Sequence, residues 1–226
     1  VIVPLFSSLG LSMRQVFELQ AIFGLAVVFT EIPTGYLGDM WSRKKIVILG
    51  SFINALGFTW LPFAQGYSGL VLFEITVGIG MSFVSGADVS LLYDSVEKGV
   101  RRKSLASLQM AAIGGESVAA ILASILVIYA LHAVTVANAL SAWIPFFIAL
   151  TFKEVAYEKM SSHSHWENFT RVFRHLFAGS DKMLKLIFVN LTVWSLATFI
   201  AVWMHQKYWE QIGIPVTYFG WIWASF

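Results

Sequence analysis

Gly35-Tyr36-Leu37-Gly38-Asp39-Met40-Trp41-Ser42-Arg43-Lys44-Lys45 is a polar, basic stretch between two long apolar runs, 15–38 and 46–65. A helix rises 1.5 Å per residue, so about 20 apolar residues cross a hydrocarbon core roughly 30 Å thick. Both runs are long enough, which makes the stretch between them a turn at the membrane surface. Reading outward gives further spans near 68–93, 104–130, 132–152 and 183–204. The composition agrees: of 226 residues, 58% are hydrophobic and 12% charged, with a mean hydropathy of +0.73. A soluble domain carries about twice that share of charge, about 25%. There is too little polar surface to clothe a water-soluble globule, and the fold class is an all-α polytopic membrane protein.

Fifteen Lys and Arg nearly balance thirteen Asp and Glu, and the net charge of +2 argues against a nucleic-acid partner. The absence of cysteine excludes a disulfide scaffold, a thiolate metal site and a cysteine nucleophile. His132 and His205 have no second ligand at zinc-site spacing, and there is no phosphate-cradling glycine loop and no nucleophile–His–acid set at one depth. Neither a metal nor a cofactor is expected, and neither a hydrolase nor an ATP-driven pump.

Orientation follows from the basic residues. Arg43, Lys44 and Lys45 share alternate loops with Lys98, Arg101, Arg102 and Lys103, and with Lys153, Lys159, Arg171, Arg174, Lys182 and Lys185; Arg14 and Lys207 fall on the other side. Cytoplasmic loops carry such an excess, so these loops are expected to face the cytoplasm. The segment 153–182 has the composition of a soluble linker. Within it Trp166, Phe169, Phe173, Leu176 and Phe177 recur at helical spacing with Arg171 and Arg174 among them. That pattern fits a basic amphipathic helix at the inner membrane surface, or a partner-binding helix.

An internal repeat lies at an offset of 203, where LGLSMRQVFELQAIF (9–23) sets against IGIPVTYFGWIWASF (212–226). Gly10 meets Gly213, Leu11 meets Ile214, Ala21 meets Ala224 and Phe23 meets Phe226. Both stretches are outer turns between an outgoing and a returning helix, as in transporters built from two parallel halves. The expected organisation is an N-terminal transmembrane half (1–152, first helix incomplete), a cytoplasmic linker (153–182), and the truncated start of a C-terminal half (183–226). The rest of that second half is then the chain's own missing partner.

The stretch 35–45 resembles the cytoplasmic loop signature of the major facilitator superfamily, roughly G-x-L-[AG]-D-R-x-G-R-[KR]. Glu31-Ile32-Pro33-Thr34-Gly35 extends the match toward a bacterial-type branch, as do Ser85-Gly86-Ala87-Asp88 and Leu91-Leu92-Tyr93-Asp94-Ser95 on the fourth span. Met40 and Ser42 depart from the signature, and Glu74 stands where many members have arginine. The fifth span, with Gly114-Gly115-Glu116, lacks the glycine–proline pattern of antiporters. The resemblance implies a six-helix half plus the beginning of the second, from the end of the first helix to the start of the eighth. It also implies a conformational latch of Gly35, Gly38, Asp39 and Arg43, with Asp94 pairing with Arg43. Gly35 and Gly38 would admit a close helix, and Asp39 could accept hydrogen bonds from a helix N-terminus or from Arg43. The plainer alternative is that Arg43, Lys44 and Lys45 only enforce topology.

Carboxylates at membrane depth are costly and face a partner or a water-filled cavity. Glu116 lies about 12 residues, or roughly 18 Å, into its span, near the midplane. Asp88 and Glu74 are 14 residues apart, which places both on one side of an unbroken fourth helix. Glu31 lies above Pro33. All four are candidates for proton coupling or for the substrate pathway, against the alternative of helix-to-helix hydrogen bonding. Gly78, Gly80, Gly114, Gly115, Ala119 and Ala120 read as packing positions.

The function expected is secondary transport of a small solute by alternating access, with proton-coupled efflux implied by the family branch. Two other readings stand beside it: a metabolite uptake symporter, and a facilitator-like membrane receptor that transports nothing. The implied partners are a small-molecule substrate, protons or another coupling ion, and the lipid bilayer. The location implied is a bacterial-type cytoplasmic membrane.

Overall fold

The computed structural model describes residues 2–154, 174 and 182–225, and among these there is no β-strand. The helices are α1 (Ile2–Ser8), α2 (Met13–Met40), α3 (Arg43–Trp60), α4 (Gly66–Ser85), α5 (Asp88–Ser95), α6 (Arg101–Leu126), α7 (Leu131–Ser141), α8 (Trp143–Thr151), α9 (Lys182–Gln211) and α10 (Phe219–Ala224). Six stretches among them are long and apolar enough to cross a membrane: Met13–Glu31, Arg43–Phe63, Gly66–Ser95, Lys98–Leu126, Leu131–Thr151 and Lys182–Gln211. They coincide with the six spans read from the sequence, and the chain is a multi-pass membrane protein. Met110, Ile113 and Val118 on α6 and Val193, Trp194 and Leu196 on α9 are exposed. Apolar side chains in such number belong against lipid or other helices, not water.

Local chemistry sets the helix ends. Ser12 caps α2 in a reciprocal box: its Oγ accepts from the Gln15 N–H at 3.3 Å, and Gln15 Oε1 accepts from the Ser12 N–H at 2.9 Å. Ser42 caps α3 by accepting from the Lys45 N–H at 3.3 Å, so α2 and α3 turn over two residues, Trp41 and Ser42. Two spans are broken where unbroken helices were expected. The span Gly66–Ser95 pauses at Gly86 and Ala87 between α4 and α5. The span Leu131–Thr151 breaks at Ala142, because Pro145 has no N–H to offer the Ser141 carbonyl.

Helix α4 sits at the centre of the packing and uses two glycines on two faces. A Cβ on Gly78 would lie 3.0 Å from the Phe23 carbonyl oxygen of α2; one on Gly80 would lie 2.7 Å from the Asn54 backbone nitrogen of α3. These are the close crossings that small residues permit. Gly114 and Gly115 differ from the sequence reading: a Cβ on either would meet nothing within 4 Å, so they are not close-packing positions. Backbone cannot yield at Gly80 as a flexible side chain could, so Gly80→Ala is expected to destabilise the protein by about 1–3 kcal/mol. Gly114→Ala adds only helix propensity and is expected to be neutral or stabilising. Thermal unfolding of the two variants in detergent checks the pair, and an unshifted Gly80→Ala would contradict the packing.

Polar side chains also join the helices. Thr34, buried on α2, donates its hydroxyl to the Ser82 carbonyl at 3.2 Å, and Trp143 Nε1 donates to Thr59 Oγ1 at 3.0 Å.

The two ends of the chain share a detail of backbone geometry. Gly10 has φ +82° and Gly213 φ +80°, the left-handed conformation that glycine adopts without strain. Leu11 N–H donates to Phe6 O at 3.1 Å, and Ile214 N–H donates to Trp209 O at 2.9 Å. Gly10 N–H donates to Ser7 O at 3.0 Å, and Gly213 N–H donates to Glu210 O at 3.1 Å. These are two copies of one helix-ending motif, and every atom pair is displaced by the same 203 residues. Val3 N–H also donates to Gln206 Oε1 at 3.2 Å, again across 203 residues, so α1 and α9 touch through corresponding positions.

Candidate functional site

A cavity of about 320 Å³ opens among α1, α6, α7, α9 and α10, in the half of the bundle away from the basic turns. Glu116, Ala120 and Ser124 follow one face of α6 at intervals of four residues, and α10 lies across that face. Trp223 Nε1 donates to Glu116 Oε1 at 2.9 Å, and the Gly220 N–H donates to Ser124 Oγ at 2.8 Å. Gly220 must be glycine here, because a Cβ would overlap the Ala120 carbonyl. Ala119, Ala120 and Ala123 line the cavity rather than filling it, which leaves the Glu116 carboxylate exposed to the space. Asn138 and Thr135 of α7 and Gln206 of α9 supply its other polar groups. Glu116 is the one ionisable side chain among the described lining residues.

The remaining acids lie elsewhere. Glu74 is 3% exposed and faces α2, where Gln20 Nε2 donates to its Oε1 at 2.9 Å. That geometry is a helix-to-helix hydrogen bond away from the cavity. Glu31 is exposed on α2, and its backbone carbonyl accepts from Thr34 Oγ1 at 3.1 Å. Asp88 is the half-buried first residue of α5 and lines a second cavity of about 730 Å³ at the basic end, with Asp94 and Glu154. The shared face expected for Glu74 and Asp88 needs an unbroken helix. The interruption at Gly86 and Ala87 removes that premise, and the two acids face different surroundings.

At the basic end, α5 is gripped by two arginines. Arg43, the first residue of α3, pairs with the Asp94 carboxylate and donates Nη1 to the Ser90 carbonyl at 3.2 Å. Both partners of the ion pair are about a quarter exposed, at 24% and 23%. Arg101, the first residue of α6, donates Nε to the Tyr93 carbonyl at 3.1 Å and places its guanidinium 5.4 Å from the Tyr93 ring centroid. Tyr93 is in the last turn of α5, where carbonyls lack intrahelical partners and positive charge is favoured. Arg43, Lys44 and Lys45 stand in the first turn of α3, where the helix dipole disfavours them. For Arg43 the pairing with Asp94 offsets that cost.

Gly35, Gly38 and Asp39 fall in the last turns of α2. Their side-chain positions lie outside the described residues, and so does the linker pattern of Trp166, Phe169, Arg171, Phe173, Leu176 and Phe177. Gln20, Arg101 and Trp223 were missed by sequence reasoning. Only Arg101 left a signal there, as a basic residue at a helix start eight positions after a tyrosine.

The family whose model matches residues 1–226 is described as the Major Facilitator Superfamily. Over 100 residues, 44% of this chain, the sequence is 32% identical to an uncharacterized transporter of Buchnera aphidicola subsp. Acyrthosiphon pisum. Over 84 residues, 37% of the chain, it is 33% identical to an uncharacterized transporter of Buchnera aphidicola subsp. Schizaphis graminum. The matched stretches span 23% and 21% of those two proteins.

Proposed function

The chain belongs to the Major Facilitator Superfamily, and from that premise we propose that the protein is a secondary transporter moving a small solute by alternating access, with proton-coupled efflux as its mode. The observation that carries this reading is the cavity beside Glu116. Among the described lining residues it holds one carboxylate, at membrane depth, among small and apolar walls and between helices from both ends of the chain. An acid there can exchange a proton for a solute as the cavity changes its access, whereas Glu74 faces α2 away from that cavity.

The two-halves organisation belongs to the same proposal: a half over 1–152, a cytoplasmic linker over 153–182, and the start of a second half from 183. The paired glycine caps and the contact of α1 with α9 at a constant offset support it. The Arg43–Asp94 pair, with Asp39 and the glycines of the same turn, is read as the latch that holds one access state. The excess of basic residues at that end of the bundle supports its placement in the cytoplasm of a bacterial-type cell.

Counterflow in vesicles containing the intact protein tests the transport reading. Vesicles preloaded with unlabelled solute, from a panel of cationic, neutral and anionic compounds, are diluted into trace labelled solute. At least one member is expected to accumulate transiently above protein-free vesicles. Saturable binding without such flux for any panel member would replace the transporter with a receptor.

A further inference from the structure

We propose that the Glu116 cavity takes a small organic monocation, with the Glu116 carboxylate as its counter-ion. This names the substrate class of the site described above and rests on the transport reading only for its consequence, since binding itself is a property of the cavity. The argument is one of charge and wall chemistry. Among the described lining residues Glu116 is ionisable and no lysine or arginine accompanies it. An anionic ligand would bring a second negative charge beside a carboxylate with no cation to offset either. A neutral ligand would strip water from the carboxylate and could return hydrogen bonds but no compensating charge. A cation neutralises the carboxylate at the place where the ligand displaces its water.

The rest of the wall suits an organic cation better than a hydrated metal ion. Leu5, Phe58, Val134 and Phe219 present hydrocarbon, and the Glu116 carboxylate with the oxygens of Thr135 and Asn138, Gln206 Oε1 being taken by Val3 N–H, falls short of the six to eight oxygen ligands that a calcium ion takes. Trp223 holds one oxygen of Glu116 through its indole N–H, which fixes the carboxylate and leaves its other oxygen for the ligand. The volume of about 320 Å³ is at the small end of ligand sites and accommodates a single-ring cation.

The test compares two probes of nearly identical shape: phenyltrimethylammonium, and tert-butylbenzene, in which carbon replaces the charged nitrogen. Binding to the intact protein in detergent is read by tryptophan fluorescence at pH 8. The cation is expected to bind at least about tenfold more tightly than its neutral isostere, and benzoate more weakly than either. Glu116→Gln should reduce the cation's advantage to about twofold or less while leaving tert-butylbenzene binding in place. Equal binding of the two probes by the unaltered protein would overturn the proposal without reliance on any variant, and so would a preference for benzoate. An unchanged preference in a folded Glu116→Gln protein would overturn the role given to that residue.

A choline headgroup carries the same cation, so the titration is repeated in nanodiscs of phosphatidylglycerol and of phosphatidylcholine. Equal affinity in both supports a soluble ligand; weakening confined to phosphatidylcholine discs assigns the cavity to lipid and overturns it. Cation preference without counterflow would remove the transport reading alone, and counterflow without cation preference would remove this proposal alone.

Discussion

In vesicles carrying an outward-directed or inward-directed pH gradient, Glu116→Gln is expected to abolish gradient-driven accumulation of solute. Glutamine keeps the size of the side chain, and its amide oxygen can still accept the Trp223 indole N–H, so the contact between α6 and α10 survives. It cannot titrate, so nothing in the cavity then exchanges a proton for solute. The measurement is made at saturating solute, where weaker binding no longer limits the rate. Counterflow, which needs no proton, should persist at that concentration. Full retention of gradient-driven accumulation would eliminate Glu116 as the coupling residue. Loss of counterflow together with accumulation would show that the carboxylate is needed for solute movement itself and not for proton coupling alone.

Breaking the Arg43–Asp94 pair is the second large effect. Asp94→Ala removes the Asp94 carboxylate from Arg43 and leaves its contact with the Ser90 carbonyl, in a setting three-quarters shielded from water. Loss of a partly buried charged hydrogen bond is worth about 1.5–3 kcal/mol. If the pair stabilises one access state and not the other, that shifts the equilibrium between them by about 10- to 150-fold. Transport should fall by a comparable factor, at unchanged membrane abundance. The exchange Arg43→Asp with Asp94→Arg should recover part of the loss, because the pair is rebuilt with its polarity reversed. Topology alone makes the opposite prediction for Asp94→Ala, since acids contribute little to the positive-inside rule. Conformation can be read directly: these 226 residues hold no cysteine, so Ser95→Cys adds a labelling site beside the second cavity. An altered labelling rate in the Asp94→Ala background is expected, and an unchanged rate with unchanged transport would remove the latch.

Some of this was legible in the chain itself. The six spans follow from hydropathy because a bilayer admits few ways to satisfy backbone polar groups, and a continuous helix of about 20 apolar residues is the simplest. Arg43 and Asp94 could be paired through the family resemblance, and Gly10 and Gly213 through the repeat, because a left-handed helix end selects glycine wherever it recurs. The deep position of Glu116 also followed from counting residues along one helix.

Phase and partnership did not follow. Counting 14 residues from Glu74 to Asp88 assumed a helix that runs on, and the pause at Gly86 and Ala87 resets direction in a way no periodicity records. Glu74 and Glu116 look alike as sequence, each an acid within an apolar run. Gln20, 54 positions away, encloses the first, while Trp223, 107 positions away, holds the second at the edge of an open cavity. Those partners lie on other helices, and their distance along the chain says nothing of their distance in space. The sequence by itself determined that this protein crosses a membrane as helices, and where, because transfer into hydrocarbon is a sum over local residues. Only the tertiary structure decided which acid meets a cavity and which is sealed in a hydrogen bond, because that depends on how helices turn against one another.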